Sequence, residues 1–546
     1  MNCAKLRIRL FLPLCVVIAY TGGEVLATEG GKFLSDQAVV MADGIALSTD
    51  IYLPAGAGPF PCILIRTPYN KDGNKGDGEW FQKKGIAVVA QDCRGKFKSP
   101  GKFYPMRNER SDGLATVTWI RTQDWFNGKI GGWGGSYLGY TQWAVSDRLD
   151  VITPLYTGAD LYDVLYPTGR FSLGLAFLWG FAVDAQRINA IAPEKLLASF
   201  SILPLSSAAE ATYGVSGFMD DWLQHTRRDE YWRSQSHRGI AQAAVLSMGG
   251  WYDIFLLDQL ADFEALKTGT TDRYLVINHF CHGAAALKKD YGGPAQTGNI
   301  AALARRFMIK HLKDAQTQVF EPPFRDNRYN LFIMERNDYY GADHWPPKAT
   351  SPVDYYIGPA KHLSSAVSQE TGSLVYRYDP ADPYPNLGGT AFGMNVGPAL
   401  QNSNVGRTDQ VVFESSELET PLVLLGPISA TLYVSSDVKN TDFYVCVQDV
   451  FEDGTIVNIQ EGGAAVRFDN SEVKPLNVNI WATGYQLGTG HKLRAVICSS
   501  WFPRFNRTLN SGEPLHSATK ITAARQTIHF GPDYASHITL PILKLK

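Results

Sequence analysis

The sequence has no excess of charge of either sign. Its 51 Lys and Arg residues are balanced by 53 Asp and Glu residues, which leaves a formal net charge of -2. Because long-range attraction to nucleic acid or to an anionic membrane surface requires a basic excess, neither partner is expected. A small-molecule substrate is expected instead.

Long hydrophobic runs and cysteines are also scarce. Beyond the N-terminal region no stretch is both long and uncharged enough to span a bilayer, which takes about 20 apolar residues, so stable membrane insertion is not expected. Only seven cysteines are present, and Cys3 and Cys15 lie in the N-terminal region. The others are scattered and odd in number, so they indicate no disulfide framework, and their pairing stays open together with the oligomeric state.

Residues 1–27 are predicted to be a signal peptide. Lys5, Arg7 and Arg9 precede an apolar run, and a small-residue cleavage site follows at Ala27. The protein is therefore expected to be exported, to the periplasm or to the extracellular space.

A chain of 546 residues exceeds what one hydrophobic core organises, and its pattern indicates several segments. Over 28–145, β-branched runs alternate with Gly-rich turns and helical stretches, which predicts parallel strands joined by crossover helices. The helical, aromatic pattern over 146–243 predicts a cap inserted into this domain. Strand patterns resume over 244–350, and from 351 to 546 short alternating runs predict an all-β sandwich.

The strands predicted for the discontinuous first domain are Ile45–Tyr52, Cys62–Arg66, Ile86–Gln91, Gly128–Trp133, Val151–Tyr156, Ala244–Met248 and Tyr274–Asn278. A helix is predicted over Asp112–Arg121. The strand Val151–Tyr156 lies within the range of the cap, near its start.

The segment Gly-Trp-Gly-Gly-Ser-Tyr-Leu-Gly presents Ser136 between a predicted strand and a predicted helix. A serine on such a strained turn needs neighbours without bulk, and Gly134 and Gly135 supply them on one side. On the other side Leu138 replaces the second glycine of the common G-x-S-x-G pattern, and Gly139 follows one place later. Ser136 is therefore the candidate nucleophile, with an ordinary glycine-rich turn as the alternative.

A serine becomes nucleophilic when a base takes its proton, and α/β hydrolases supply the acid and the histidine later in the chain, in that order. Asp253 follows the predicted strand Ala244–Met248 and is the candidate acid. Asp258 is its nearest competitor, and a helix N-cap is the alternative role. His282 follows the next predicted strand and is the candidate base.

His279, Cys281 and His282 offer an alternative interpretation as a metal cluster. Ligands so close together point in different directions at a strand end, and no second cluster completes a set of four. No metal and no cofactor are therefore expected.

The negative charge that develops on a carbonyl oxygen under attack needs two hydrogen-bond donors. One is expected to be the backbone N–H of Tyr137, the residue after the nucleophile. The hydroxyl of Tyr69 is the candidate for the second, because Tyr69 follows the early strand that normally supplies it; a merely packed tyrosine is the alternative.

Further motifs extend along nearly the whole chain. They lie at residues 41–47, 66–69, 91–95, 221–223, 249–253, 441–443, 490–494 and 499–503, in addition to the Ser136 turn. Together they resemble the cocaine esterase-like branch of the X-Pro dipeptidyl-peptidase superfamily, which also includes α-amino acid ester hydrolases and glutaryl cephalosporin acylases.

The resemblance implies an α/β-hydrolase domain with an inserted helical cap and a C-terminal jelly-roll β-sandwich. It also implies that Ser136, Asp253 and His282 form the catalytic triad, and that the Tyr69 hydroxyl and the Tyr137 amide form the oxyanion hole.

Two departures from the family pattern concern the substrate. The usual Gly-Pro-Trp-x-His is replaced by Asn-His-Phe-Cys-His over 278–282, so the wall beside the histidine is altered. The adjacent Glu-Asp pair that α-amino acid ester hydrolases place after the catalytic aspartate is replaced by apolar residues over 254–257. Recognition of a free α-ammonium group is therefore not expected.

The sequence thus predicts an exported serine hydrolase that cleaves a carboxylic ester or amide through an acyl-enzyme on Ser136. A dipeptidyl-peptidase or acylase acting on an amide is the first alternative. It needs a carboxylate in the cap to hold the substrate's amine, for which Asp220 and Asp221 are candidates. The second alternative is a catalytically silent hydrolase fold that serves as a binding module.

Overall fold

The computed structural model describes residues 31–183, 193–213, 217–266, 272–282, 291–292, 298–393, 395–470 and 472–545. The predicted signal peptide lies outside the described residues. In the part of the chain that is described, no helix is long and apolar enough to cross a membrane.

A ten-stranded sheet forms the centre of the first domain. Its strands, β1 to β10 in chain order, are Lys32–Val40, Ala46–Leu53, Phe60–Thr67, Ala87–Asp92, Phe126–Gly132, Val151–Ile152, Ala244–Tyr252, Arg273–Cys281, Tyr329–Ile333 and Asp338–Ala342. In space their order is β1-β2-β4-β3-β5-β6-β7-β8-β9-β10. The run from β4 to β9 is parallel, which brings the carboxyl ends of these strands to one edge.

Parallel strands form the middle of the sheet, as predicted, and antiparallel strands are added at both edges. Strand β2 is antiparallel to both β1 and β4, and β10 is antiparallel to β9. Strand β1 has no counterpart in the prediction because most of its residues are exposed, so it lacks an alternating apolar pattern. A short turn at Gly44, where φ is 84°, reverses the chain between β1 and β2.

The strand predicted over Val151–Tyr156 is a continuous strand only at Val151–Ile152, and Leu155 pairs with the sheet again through isolated bridges to Gly135 and Met248. Beyond Ile152, the Thr153 N–H donates to the Gln142 side chain at 3.0 Å, and Pro154 has no N–H to contribute to a ladder. Because β6 and the following residues through Tyr156 pair with the sheet, the helical cap begins after Tyr156 and not at residue 146.

Helices cover both faces of this sheet and build the cap. The helices of the α/β domain are Lys75–Lys83, Glu109–Arg121, Tyr137–Ala144, Leu256–Glu264 and Ile300–Lys313. Those of the cap are Leu161–Leu165, Leu173–Val183, Pro193–Ser199, Leu205–Tyr213, Gly217–Gln224 and Glu230–Arg233. The cap has a buried aromatic cluster of its own, which includes residues of the serine turn.

The C-terminal domain consists of two antiparallel sheets. Its strands, β11 to β21, are Thr350–Ile357, Leu363–Ser364, Gly372–Tyr378, Gln410–Glu414, Leu422–Ser436, Asn440–Val450, Ile456–Arg467, Lys474–Leu487, Lys492–Cys498, Ala524–Phe530 and His537–Leu543. One sheet has the order β12-β11-β21-β15-β20-β13, with β18 also paired to β15, and the other has the order β14-β19-β16-β17. Apolar residues of both sheets share a core that is continuous with that of the α/β domain.

The five cysteines of the described chain are all buried, and Cys62, Cys93, Cys446 and Cys498 form no disulfide among the described residues. Burial raises the pKa of the Cys62 and Cys498 thiols, so these side chains are neutral apolar groups in the cores of their domains.

Candidate active site

Ser136 lies on a sharp turn between β5 and the helix Tyr137–Ala144. Its φ is 54° and its ψ is -126°, a conformation that costs a non-glycine residue about 1–3 kcal/mol. The Ser136 N–H donates to the carbonyl of Leu155 at 2.8 Å, which ties the turn to the neighbouring segment. The turn therefore presents the serine at the carboxyl edge of the parallel strands.

At two positions close to Ser136 only a glycine fits without a steric overlap. Gly134 has a φ of 120°, and a Cβ atom there would lie 2.7 Å from the Cβ of Leu138. A Cβ atom at Gly139 would lie 2.3 Å from the Cγ2 atom of Thr157. The glycine one place later than in the common pattern is therefore the one that lets the helix pack closely against Thr157.

The three residues predicted as a triad are in hydrogen-bond contact. Ser136 Oγ lies 3.1 Å from His282 Nε2, and His282 Nδ1 lies 2.9 Å from Asp253 Oδ2. Asp253 is fully buried and its second oxygen accepts the N–H of Phe255 at 2.8 Å. The two partners meet because β7 and β8 are adjacent parallel strands, and Asp253 and His282 follow directly after them.

Asp258, the competing acid, is engaged elsewhere. Its carboxylate accepts from Arg238 Nη2 at 3.0 Å. Burial raises the pKa of Asp258 well above its ordinary value, and the neighbouring Asp163 and Asp262 carboxylates add to this rise. Asp258 therefore belongs to a buried charge cluster next to the triad and not to the triad itself.

The residues of the alternative metal cluster have separate surroundings. The ring of His279 packs against Phe280 and Tyr291, with centroids 4.4 and 5.1 Å apart, whereas His282 contacts Ser136. Burial raises the pKa of the Cys281 thiol to about 12, which disfavours the thiolate that a metal requires. Among the described residues, no three His, Cys, Asp or Glu side chains gather as a metal site.

The Tyr137 side chain anchors the serine turn. Its hydroxyl donates to Glu109 Oε1 at 2.7 Å and accepts the N–H of Met106 at 2.9 Å. Burial and the nearby Glu109 carboxylate raise the pKa of Tyr137 well above its ordinary value, so the hydroxyl keeps its proton. As the first residue of its helix, Tyr137 has a backbone N–H that no intrahelical carbonyl accepts.

Tyr69, the other predicted donor, lies beside Tyr137 near the end of β3. Their ring centroids are 6.3 Å apart with an interplanar angle of 73°. The Tyr69 hydroxyl accepts the indole N–H of Trp179 at 2.8 Å. A residue of the cap therefore reaches the predicted oxyanion hole.

Ser136 and His282 open into a cavity whose walls are almost entirely apolar. The other described lining residues are Met106, Tyr137, Tyr140, Thr157, Gly158, Leu161, Val164, Leu165, Leu175, Trp179, Trp222, Ile254, Phe255 and Phe392. None of them carries a charge. The rings of Phe255 and Phe392 flank the imidazole of His282, with centroids 5.5 and 5.4 Å away.

The two cap carboxylates considered as amine-binding groups do not line this cavity. Asp221 Oδ2 instead accepts the Tyr104 hydroxyl at 2.5 Å. The neighbouring Trp222 does line the cavity and is 1% exposed. Asp221 and Trp222 belong to the same sequence motif, residues 221–223, and of the two only the tryptophan lines the cavity that contains Ser136.

Several residues of the site are missing from the sequence-based prediction. Trp179, Trp222 and Phe392 come from the cap and from the C-terminal domain, and no spacing relative to Ser136 indicates that they meet it. Glu109, which is 3% exposed, begins the helix Glu109–Arg121 of the structure, but it lies outside the helix predicted over Asp112–Arg121.

Comparison with known proteins agrees with this architecture. Residues 43–284 match the model of the X-Pro dipeptidyl-peptidase (S15) family, and residues 325–539 match the X-Pro dipeptidyl-peptidase C-terminal non-catalytic domain. The chain is 31% identical to the cocaine esterase of Rhodococcus sp. (strain MB1 Bresler) over an alignment of 573 positions including gaps, which covers 93% of this chain and 98% of that protein. The family resemblance inferred from the motifs is thus confirmed.

Two solved structures have the same fold. An aminopeptidase from the marine sediment archaeon Thaumarchaeota archaeon superposes with a TM-score of 0.81 at 19% identity, and the match covers 100% of this chain and 99% of that chain. An α-amino acid ester hydrolase gives a TM-score of 0.78 at 20% identity, with coverage of 96% and 99%. The predicted fold class, an α/β hydrolase with a C-terminal β-rich domain, is confirmed.

The fit of the serine helix against Thr157 gives a stability prediction. Gly139→Ala is expected to destabilise the protein by about 1–3 kcal/mol, because the new Cβ atom overlaps the Thr157 methyl group. The midpoint of urea unfolding measures the effect. Gly76→Ala, where a Cβ atom would meet nothing within 4 Å, is the matched control and is expected to cause no loss. Equal midpoints for the two variants would contradict the close fit at Gly139.

Proposed function

Because the chain belongs to the X-Pro dipeptidyl-peptidase family, a family of serine hydrolases, we propose that it hydrolyses a carboxylic ester or amide through an acyl-enzyme on Ser136. The observation that carries this proposal is the continuous series of contacts from Asp253 through His282 to Ser136 Oγ. This arrangement is the one by which a serine hydroxyl becomes a nucleophile.

In the proposed reaction His282 Nε2 takes the proton of Ser136 Oγ while that oxygen attacks the substrate carbonyl. Asp253 accepts a hydrogen bond from the Nδ1–H of His282. This bond selects the tautomer with a free lone pair on Nε2 and stabilises the imidazolium that forms. The imidazolium then protonates the leaving group. A water molecule then attacks the acyl carbon while His282 takes its proton. His282 returns this proton to Ser136 Oγ as the bond between Oγ and the acyl carbon breaks and the acid leaves, so these steps need no cofactor.

The oxyanion of the tetrahedral intermediate is proposed to accept two hydrogen bonds, from the Tyr137 N–H and from the Tyr69 hydroxyl. Two observations support this assignment. The Tyr137 amide is the first of its helix and directly follows Ser136, and the ring of Tyr69 contacts the ring of Tyr137.

The walls of the cavity favour a substrate with an uncharged, apolar acyl group. Aromatic rings from the cap and the C-terminal domain surround the serine, and no lining residue among those described is charged. Transfer of a charged group into such walls without a partner is costly. We therefore favour an ester or amide of an apolar carboxylic acid, and the relative named a cocaine esterase supports an ester.

A dipeptidyl-peptidase or an acylase is the second candidate, and the names of the two family models favour it. The position of the cap carboxylates argues against binding of a free amine, because Asp221 contacts Tyr104 and does not line the cavity. A catalytically silent binding module has less support, because the contacts among Ser136, His282 and Asp253 are intact.

We also propose that the protein is exported, on the pattern of basic residues followed by an apolar run in residues 1–27. N-terminal sequencing of the protein recovered from its source cells is expected to begin after Ala27. A sequence that begins at Met1 would contradict cleavage of a signal peptide.

The nucleophile can be tested by covalent labelling. The mature protein is expected to react with a fluorophosphonate probe, and Ser136→Ala is expected to abolish the reaction because the attacking oxygen is gone. Ser111→Ala removes an exposed hydroxyl from the helix Glu109–Arg121 and is the matched control, which should label like the wild type. Absence of labelling in the wild type would favour the silent binding module.

The same preparation can be assayed with p-nitrophenyl esters of increasing acyl length and with aminoacyl p-nitroanilides. Because the cavity is apolar, the esters are expected to have the higher kcat/KM. A preference for the anilides with a free amine would instead support the dipeptidyl-peptidase.

The role of Tyr69 can be tested by removal of one oxygen. Tyr69→Phe is expected to lower kcat by about 100-fold or more while the protein stays folded, because one donor to the oxyanion is lost. Steady-state kinetics with a p-nitrophenyl ester and the thermal unfolding midpoint measure the two effects. Unchanged kcat would remove Tyr69 from the oxyanion hole.

A further inference from the structure

Trp179 is a residue of the cap that donates a hydrogen bond to a predicted oxyanion-hole residue. It lies on the cap helix Leu173–Val183, and its Nε1–H donates to the Tyr69 hydroxyl at 2.8 Å. Its ring also stacks on Tyr137, with centroids 5.9 Å apart and an interplanar angle of 14°. A single side chain of the cap thus contacts both residues that are proposed to stabilise the oxyanion.

The direction of this hydrogen bond matters for catalysis. A tyrosine hydroxyl has one proton and two lone pairs, and it can rotate about its bond to the ring. Because an indole N–H can only donate, the Tyr69 oxygen uses a lone pair toward Trp179, and its own proton must point away from the indole. Acceptance of one hydrogen bond also strengthens the bond that the hydroxyl donates.

We propose that Trp179 is a positioning residue that orients the Tyr69 hydroxyl as a donor to the oxyanion, so that the cap completes the oxyanion hole. This inference rests on the proposed function and on the role of Tyr69 in it. The indole N–H of Trp179 does not contact the reacting atoms in this proposal, because it acts through the Tyr69 hydroxyl.

The stack of rings holds Trp179 in place. Besides Tyr137, the ring of Trp179 also stacks on the ring of Trp222, with centroids 6.0 Å apart and an interplanar angle of 22°. Trp222 differs from Trp179 in one respect that is useful for a control: its Nε1 is buried and has no hydrogen-bond partner among the described residues. Both indoles line the same cavity, so replacement of either removes similar apolar surface from it.

The test is a double-mutant cycle between Trp179→Phe and Tyr69→Phe, measured with p-nitrophenyl acetate and with p-nitrophenyl butyrate. Trp179→Phe keeps an aromatic ring but removes the N–H. We expect it to lower kcat by about 10-fold, less than the loss of the Tyr69 oxygen itself, and by the same factor for both esters. In the Tyr69→Phe background the same substitution should have no further effect on kcat, because no hydroxyl remains to be oriented.

Trp222→Phe is the matched control, because it makes the same change in the same cavity without the loss of a hydrogen bond. Any change in kcat that Trp222→Phe causes should depend on the length of the acyl group, and the same change should occur in the Tyr69→Phe background. Thermal unfolding midpoints of all variants establish that they are folded at the assay temperature.

Two results would overturn the positioning role while the proposed function stands: unchanged kcat in Trp179→Phe, or a loss that persists in the Tyr69→Phe background. If Tyr69→Phe alone leaves kcat unchanged, both the role of Tyr69 and the inference fail, although Ser136 can still be the nucleophile. Failure of the proposed function itself is recognised separately, as absence of ester hydrolysis and of fluorophosphonate labelling in the wild type.

Discussion

The buried ion pair between Arg66 and Glu109 lies beneath the serine turn and supports it. The charged atoms are 2.8 Å apart, and the side chains are 1% and 4% exposed. Burial of two charges is tolerated only where their hydrogen-bonding groups find partners, and here Gln91 accepts from Arg66 Nε at 2.9 Å while Glu109 accepts from Tyr137. Tyr137, the residue after Ser136, is thereby tied to a strand and a helix of the α/β domain. The strained backbone of the turn can persist because its neighbour cannot move away.

The remaining parts of the site come from segments that are far apart in the chain. The acid and the histidine follow two adjacent strands, Trp179 and Trp222 come from the cap, and Phe392 comes from the segment before β14. Each contributes a rigid ring or a buried polar group, and the aromatic contacts among them are typical of well-packed cores. The cavity therefore exists only when all three segments are assembled, which links the stability of the cap to the geometry of catalysis.

The sequence predicts Ser136, Asp253 and His282 as neighbours because each follows a buried strand of one parallel sheet, and such strands end at a common edge. Their catalytic roles stay predictions, although the distances among them agree with those roles. Other features leave no local signal. Strand β1 is exposed and therefore has no apolar alternation, and the ladder of β6 is interrupted at Thr153, whose N–H donates to the Gln142 side chain. Trp179 and Phe392 meet the serine only through tertiary packing, which no spacing in the sequence records.

The absence of charge from the described walls of the cavity connects packing to chemistry. A substrate with a free ammonium group would lose its hydration there and find no carboxylate, since Asp221 contacts Tyr104 and Asp258 pairs with Arg238. The charge that the proposed reaction creates is different, because it develops on the carbonyl oxygen, next to the two donors that are proposed for it. Apolar walls raise the strength of those donor contacts by excluding water. The same walls that disfavour a charged substrate thus favour the charged intermediate, provided that the hydroxyl of Tyr69 points toward it.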